Sequence, residues 1–77
     1  MHLLFEKDTR YYVLTLQRGL FGWVVSRDWG RTSSRRGRTN MTTCESHDEA
    51  TALFHQETER RLKRGYRVIQ TGEVGLC

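Results

Sequence analysis

Apolar and polar residues alternate with a period of two through the first half of the chain and with a helical period through the next quarter. Leu3 to Glu6 reads as a short first strand, followed by the polar turn Lys7-Asp8-Thr9-Arg10. Tyr11 to Gln17 is rich in aromatic and β-branched residues, with Tyr12, Leu14 and Leu16 on one face. Gly19 and Gly22 flank a turn, after which Phe21 to Arg31 reads as a longer strand, so an antiparallel hairpin is expected. Thr32 to Gly37 carries no apolar residue and reads as a loop, and Arg38 to Glu45 reads as a fourth strand.

A helix is expected from about His47 to Arg64. Ser46 followed three residues later by Glu49 is a capping-box pattern, in which the hydroxyl and the carboxylate satisfy backbone donors that the first turn leaves open. Ala50, Leu53, Phe54, Thr58 and Leu62 recur at helical spacing and are expected to face a core. Acids stand in the first turn (Asp48, Glu49) and bases in the last (Arg60, Arg61, Lys63, Arg64), matching the helix dipole. Gly65 sits where a left-handed capping residue belongs. Tyr66 to Gln70 adds a strand. The expected architecture is α+β: one antiparallel β-sheet of about four to five strands with one amphipathic helix packed on one face, and the other face wet or binding. The domain is expected to span residues 1–70, with 71–77 a flexible tail.

Composition narrows the function classes. A chain of 77 residues buries only about 60% of its unfolded surface, and an enzyme-sized cleft would consume core it cannot spare. The eight aromatic residues still argue for a real core. The formal net charge of +4 points to an acidic partner, nucleic acid before an anionic membrane, although basic character also serves solubility. Cys44 and Cys77 form no disulfide framework, which fits a reducing cytosol. The first residues lack the charged start and apolar run of a signal peptide, and no apolar stretch approaches the ~20 residues of a membrane helix. The expectation is a cytoplasmic protein with no membrane partner.

Candidate chemistry concentrates in one segment. Five of the 13 basic residues (Arg27, Arg31, Arg35, Arg36 and Arg38) fall between positions 27 and 38, against the single acid Asp28. In a regular strand Arg27, Trp29 and Arg31 share a face. An indole between two guanidiniums suits nucleic acid, because the ring stacks on sugar or base while the guanidiniums fork onto phosphate oxygens. Gly30 lets another backbone approach closely. Phe21, Trp23 and Val25 share the phase of Trp29, so a place in the core is an open alternative for its ring. The second basic cluster, Arg60 to Arg67, reads as a solvated helix face, since Glu57 and Glu59 stand four residues before Arg61 and Lys63.

Catalytic and metal chemistry find no comparable pattern. His2, His47 and His55 have no partner at a recognised spacing, and Cys44-x-x-His47 falls short of four zinc ligands. No Gly-rich phosphate loop and no nucleophile motif occur. A non-enzymatic module without cofactor or metal is expected.

Trp29-Gly30-Arg31 resembles the signature tripeptide of the WGR domain family, and the surrounding order is similar: Tyr11-Tyr12-Val13-Leu14 upstream, Gly22-Trp23-Val24-Val25 leading in, and Ala50, Phe54, Arg61 and Gly65-Tyr66 downstream. The likeness runs from about Leu3 to Val68. Such domains are known as modules of DNA-damage-responsive poly(ADP-ribose) polymerases and as short or fused bacterial proteins. The resemblance implies an antiparallel sheet with one helix, Trp29 against a terminal nucleotide sugar, and Arg31 at a DNA or domain contact. It departs at Ser33, where glycine is common, and at Arg61, where lysine is usual. No polymerase catalytic domain accompanies the tripeptide, so ADP-ribosylation is not implied.

The functional expectation is therefore a nucleic-acid-binding module, DNA more than RNA, contacting backbone or ends with low sequence specificity. Its expected contact residues are Arg27, Trp29, Gly30, Arg31, Arg35, Arg36 and Arg38. Docking of another protein on the same surface is the alternative, since Arg and Trp also anchor protein interfaces.

Overall fold

The computed structural model describes residues 1–33 and 37–72. Five strands, β1 (His2–Lys7), β2 (Arg10–Arg18), β3 (Trp23–Arg31), β4 (Gly37–Cys44) and β5 (Arg67–Gly72), form one antiparallel sheet in the order β4-β3-β2-β1-β5. Among the described residues a single helix, α1 (His47–Lys63), packs across β2, β3 and β4. No helix among the described residues is long and apolar enough to cross a membrane.

The period-two pattern of β2 sets the layer. Tyr12, Leu14 and Leu16 are buried and lie opposite Trp29, Arg27 and Val25 of β3. Phe5 of β1 faces Tyr12 from the other side, and Ala50 and Phe54 of the helix close the core above them. Cross-strand neighbours of this kind share a face, so the odd-numbered residues of β3 belong to the helix side of the sheet.

The helix begins as expected: Ser46 Oγ accepts the Glu49 N–H at 3.1 Å. It ends in a Schellman arrangement, with Tyr66 N–H donating to Arg61 O at 3.1 Å and Gly65 N–H to Leu62 O at 3.0 Å. Gly65 carries the positive φ of 94° that this ending requires. Leu62 departs from the expected core face, being 49% exposed. The buried stripe runs Ala50, Phe54, Glu57 and then the largely buried Arg61, so the second half of the helix meets the sheet through charge. Thr58 turns inward on its own helix, its hydroxyl donating to Phe54 O at 2.8 Å.

The β2–β3 hairpin corrects a second expectation. Phe21 lies outside the strand and is 88% exposed, beside Leu20 at 90%. The chain closes this turn with Gly19 N–H donating to Gly22 O at 2.6 Å. Gly22 has φ of 149°, and a Cβ there would stand 2.5 Å from the Cys44 carbonyl oxygen. The crowding atom is backbone and cannot swing aside. Gly22→Ala is expected to cost about 1–3 kcal/mol, read as a fall in Tm of roughly 5–15 °C by calorimetry. Phe21→Ser, which removes no buried contact, is expected to leave Tm within about 2 °C.

At the other edge β5 continues through Thr71 and Gly72, two residues beyond the expected strand, with a register shift between Leu4 and Phe5. Residues 73–77 of the expected tail lie outside the described residues.

Candidate nucleic-acid interface

Strand β3 supplies the tripeptide from the helix side of the sheet. Arg27, Trp29 and Arg31 stand opposite Leu14, Tyr12 and Arg10, which places all three on one face, as their alternation implies. Below Trp29 the layer is the apolar core. Around and beyond it the helix offers Glu57, Arg60 and Arg61 instead of leucines, so the ring cannot be sealed from solvent. Trp29 is consequently half-buried, its ring stacked on Tyr12 with centroids 6.0 Å apart and planes 19° from parallel. The two sequence readings of this tryptophan meet in one position. It packs against the core and also lines two concavities.

The first concavity, about 310 Å³, lies between β3 and the C-terminal half of α1. Tyr12, Arg27, Trp29, Asn40, Glu57, Arg60, Arg61 and Tyr66 line it. Tyr66 reaches it because the helix cap turns the chain back over the sheet, where its ring meets Tyr12 edge-on at 6.2 Å. The Arg61 guanidinium lies 4.4 Å from the centre of the Tyr12 ring, close enough for a cation–π contact. Burial pushes the Tyr12 phenol above its ordinary pKa, and the Glu57 carboxylate adds to the shift. Tyr12 is thus a neutral hydroxyl at physiological pH.

The second concavity, about 220 Å³, lies on the other flank of Trp29 and is lined by Arg10, Tyr11, Trp29, Gly30, Arg31 and Tyr66. Arg10 and Arg31 are exposed and face each other across the strands, and Lys7 continues the same row. Arg38 stands opposite Trp29 on β4, also exposed. Asp28 points to the opposite sheet face, where it accepts a hydrogen bond from the Thr39 hydroxyl at 2.6 Å. The acid nearest the tripeptide in sequence is therefore kept away from the arginines.

Arg27 is placed differently from Arg31 and Arg38. Its Nη1 donates to Glu57 Oε1 at 2.6 Å, and its Nη2 donates to Asn40 Oδ1 at 2.7 Å and Thr42 Oγ1 at 2.9 Å. A carboxylate thirty residues away in sequence thus pairs with Arg27, whose neighbour Asp28 faces the other way. This guanidinium clamps β3, β4 and α1 together. Gly30 faces Gly37 across the β3–β4 pair. A Cβ on Gly37 would stand 2.5 Å from Tyr11 Oη and 3.1 Å from Trp29 O. Arg35 and Arg36, two of the expected contact residues, lie outside the described residues.

Asn40, Glu57, Arg60, Arg61, Tyr66 and Arg10 join the site without having been singled out from sequence as contacts. The Gly65 capping signal carried the information for Tyr66, since it fixes where the following side chain returns. His47 packs its ring edge-on against Trp23 at 4.6 Å, and Cys44 is buried with its thiol pKa pushed up by that burial and by Glu49. Among the described residues no group of three or more His, Cys, Asp or Glu could hold a metal ion.

A family model described as WGR domain matches residues 3–73. No curated protein and no solved structure matches the chain.

Proposed function

The chain belongs to the WGR domain family, known as a nucleic-acid-binding module, and from that premise we propose that it binds DNA backbone or ends with low sequence specificity. Trp29 stacks on the terminal sugar or base, while Arg31, Arg38 and Arg10 take the adjoining phosphates. The observation that carries this reading is the half-buried Trp29, fixed against Tyr12 and bordered by the exposed pair Arg31 and Arg10. A pre-stacked ring loses little freedom on binding, and exposed guanidiniums shed few competing partners when they meet phosphate. Arg27 supports the site from within, through its hold on Glu57, Asn40 and Thr42. Arg35 and Arg36 are further candidate phosphate ligands by position in the sequence. Low specificity follows from the helix, whose inner face is committed to the sheet and offers no recognition surface for a major groove.

Fluorescence anisotropy of a nicked duplex, an intact duplex and a single strand across a salt series tests this. Neutralising about three or four phosphates gives a slope of log affinity on log salt of roughly −3. Preference for the nicked duplex extends the reading to ends. A folded protein that binds none of the three at low salt overturns it, leaving protein docking as the use of this surface.

A further inference from the structure

An open sheet has two edges, and the two edges of this one are built differently. At β5 the strand starts on Arg67 and its register against β1 shifts between Leu4 and Phe5, a bulge of the kind that discourages a further strand from pairing. At β4 no such guard is present among the described residues. Its eight residues pair with β3 in unbroken register from Gly37 to Cys44, without proline, lysine or bulge. That is longer than the usual strand of about five or six residues. The side chains that could fold over the edge are turned inward. Asn40 Oδ1 and Thr42 Oγ1 accept from Arg27 Nη2, and the Thr39 hydroxyl donates to Asp28. The outer N–H and C=O groups of β4 therefore stand in a straight row, with no protein partner beyond β3 among the described residues.

We infer that β4 pairs with β4 of a second copy of this chain, antiparallel about Met41, so that two five-stranded sheets become one. Pairing about Met41 sets Thr39 against the partner's Thr43, Asn40 against the partner's Thr42, and Arg38 against the partner's Cys44. Opposed threonines are a favourable cross-strand pair. Charge selects the direction. Arg38, the one charged residue of β4, is exposed near its start, and the exposed carboxylates of Glu45 and Asp48 follow its end. Antiparallel pairing brings each Arg38 towards the partner's Glu45 and the partner's Asp48, twice by symmetry, whereas parallel pairing in register sets arginine against arginine. Met41, 64% exposed on the face away from the helix, meets its own copy on the axis. The contact closes at two copies because the same edge is used by both. Trp29, Arg31 and Arg10 lie at least one strand inside the seam and stay open, on one face of the joined sheet, while Arg38 exchanges a phosphate for a carboxylate.

Sedimentation velocity of the whole chain between about 10 µM and about 1 mM, without nucleic acid, tests this. A shift from monomer to dimer is expected, with half-association at roughly 100 µM, as suits an interface of one strand pair. Met41→Lys sets two ammonium groups face to face on the axis and is expected to weaken the dimer roughly fivefold or more, and Met41→Glu likewise. Mixed in equal amounts, the two variants are expected to recover the parent's association, since lysine then meets glutamate. Met41 is exposed, so both variants keep the fold, which thermal melts check. Ile69→Lys, an equally open position on the β5 edge, is expected to leave association unchanged. Nucleic-acid binding is read at about 1 µM, where the chain is monomeric, so the two readings fail separately. A monomer at about 1 mM, a dimer indifferent to Met41→Lys, equal loss with Ile69→Lys, or a mixture that does not recover overturns the inference.

Discussion

Trp29→Ala is expected to weaken binding of a nicked duplex by roughly 30-fold, and Arg31→Gln by roughly tenfold, with the fold retained in both. Stacking of one base or sugar on an aromatic platform is worth about 1–3 kcal/mol by truncation, and about 2 kcal/mol corresponds to that 30-fold. The position of Trp29 keeps it clear of the lower end of the range. Its ring is already held parallel to Tyr12, so the free protein has spent the ordering entropy before ligand arrives. Trp29→Phe separates platform from packing. It restores a flat face over Tyr12 and is expected to recover most of the affinity, whereas a contribution through the indole N–H would not be recovered. Arg31 is exposed, so its replacement removes one phosphate contact and reduces the magnitude of the salt slope by about one. Arg27→Gln is expected to act differently, lowering Tm because it unclamps Glu57, Asn40 and Thr42. Anisotropy titrations paired with thermal melts check all four. A Trp29→Ala protein that melts normally and binds as tightly as the parent removes the platform from the mechanism.

The parts of this site that could be read in the sequence are those encoded by local periodicity. Alternation in β2 gave the buried Tyr12, Leu14 and Leu16 directly, and alternation in β3 placed Arg27, Trp29 and Arg31 on one face. The Ser46 cap and Gly65 terminator bounded the helix to within a residue because each is a chemical requirement of the helix end itself. Phe21 misled because strand alternation continues formally through it, whereas Gly22 at positive φ turns the chain first. Leu62 misled in a similar way. Its spacing is helical, yet the inward stripe at that end belongs to Glu57 and Arg61, which an apolar template scores as outward. Arg60 and Arg61 read as a solvated face for the same reason. Only the strand arriving beneath them, carrying Arg27, turns part of that face into the wall of a cleft. The Arg27–Glu57 pair had no local signature, because it joins residues thirty apart across two layers.

That pair makes Glu57 the residue on which fold and site depend together, and Glu57→Gln is expected to lower stability by about 3 kcal/mol, or roughly 10–20 °C in Tm. Truncating one member of a buried ion pair leaves the other charge desolvated and uncompensated, which costs about 3–5 kcal/mol in enclosed sites. The lower figure applies here because Arg60 is half-exposed and water screens part of the cluster. For a domain of this length about 3 kcal/mol is a large fraction of the whole margin. Gln retains an acceptor for the Arg27 Nη1 hydrogen, so the loss is chiefly electrostatic. Exchange of the pair for apolar residues, Arg27→Met with Glu57→Leu, is expected to recover most of the stability, since desolvation of both charges is removed at once. Anion affinity should move in the opposite direction. With Glu57 neutral, the excess of guanidiniums over carboxylates in the Arg27, Arg60 and Arg61 cluster rises from two charges to three, so a nicked duplex is expected to bind Glu57→Gln more tightly at a temperature where the variant is folded. Chemical denaturation in the absence and presence of a nicked duplex reads both effects in one experiment. Lower stability with a larger ligand-induced stabilisation is the expected result. Lower stability with no added ligand response would show that Glu57 holds the helix to the sheet and has no part in setting the charge of the cleft.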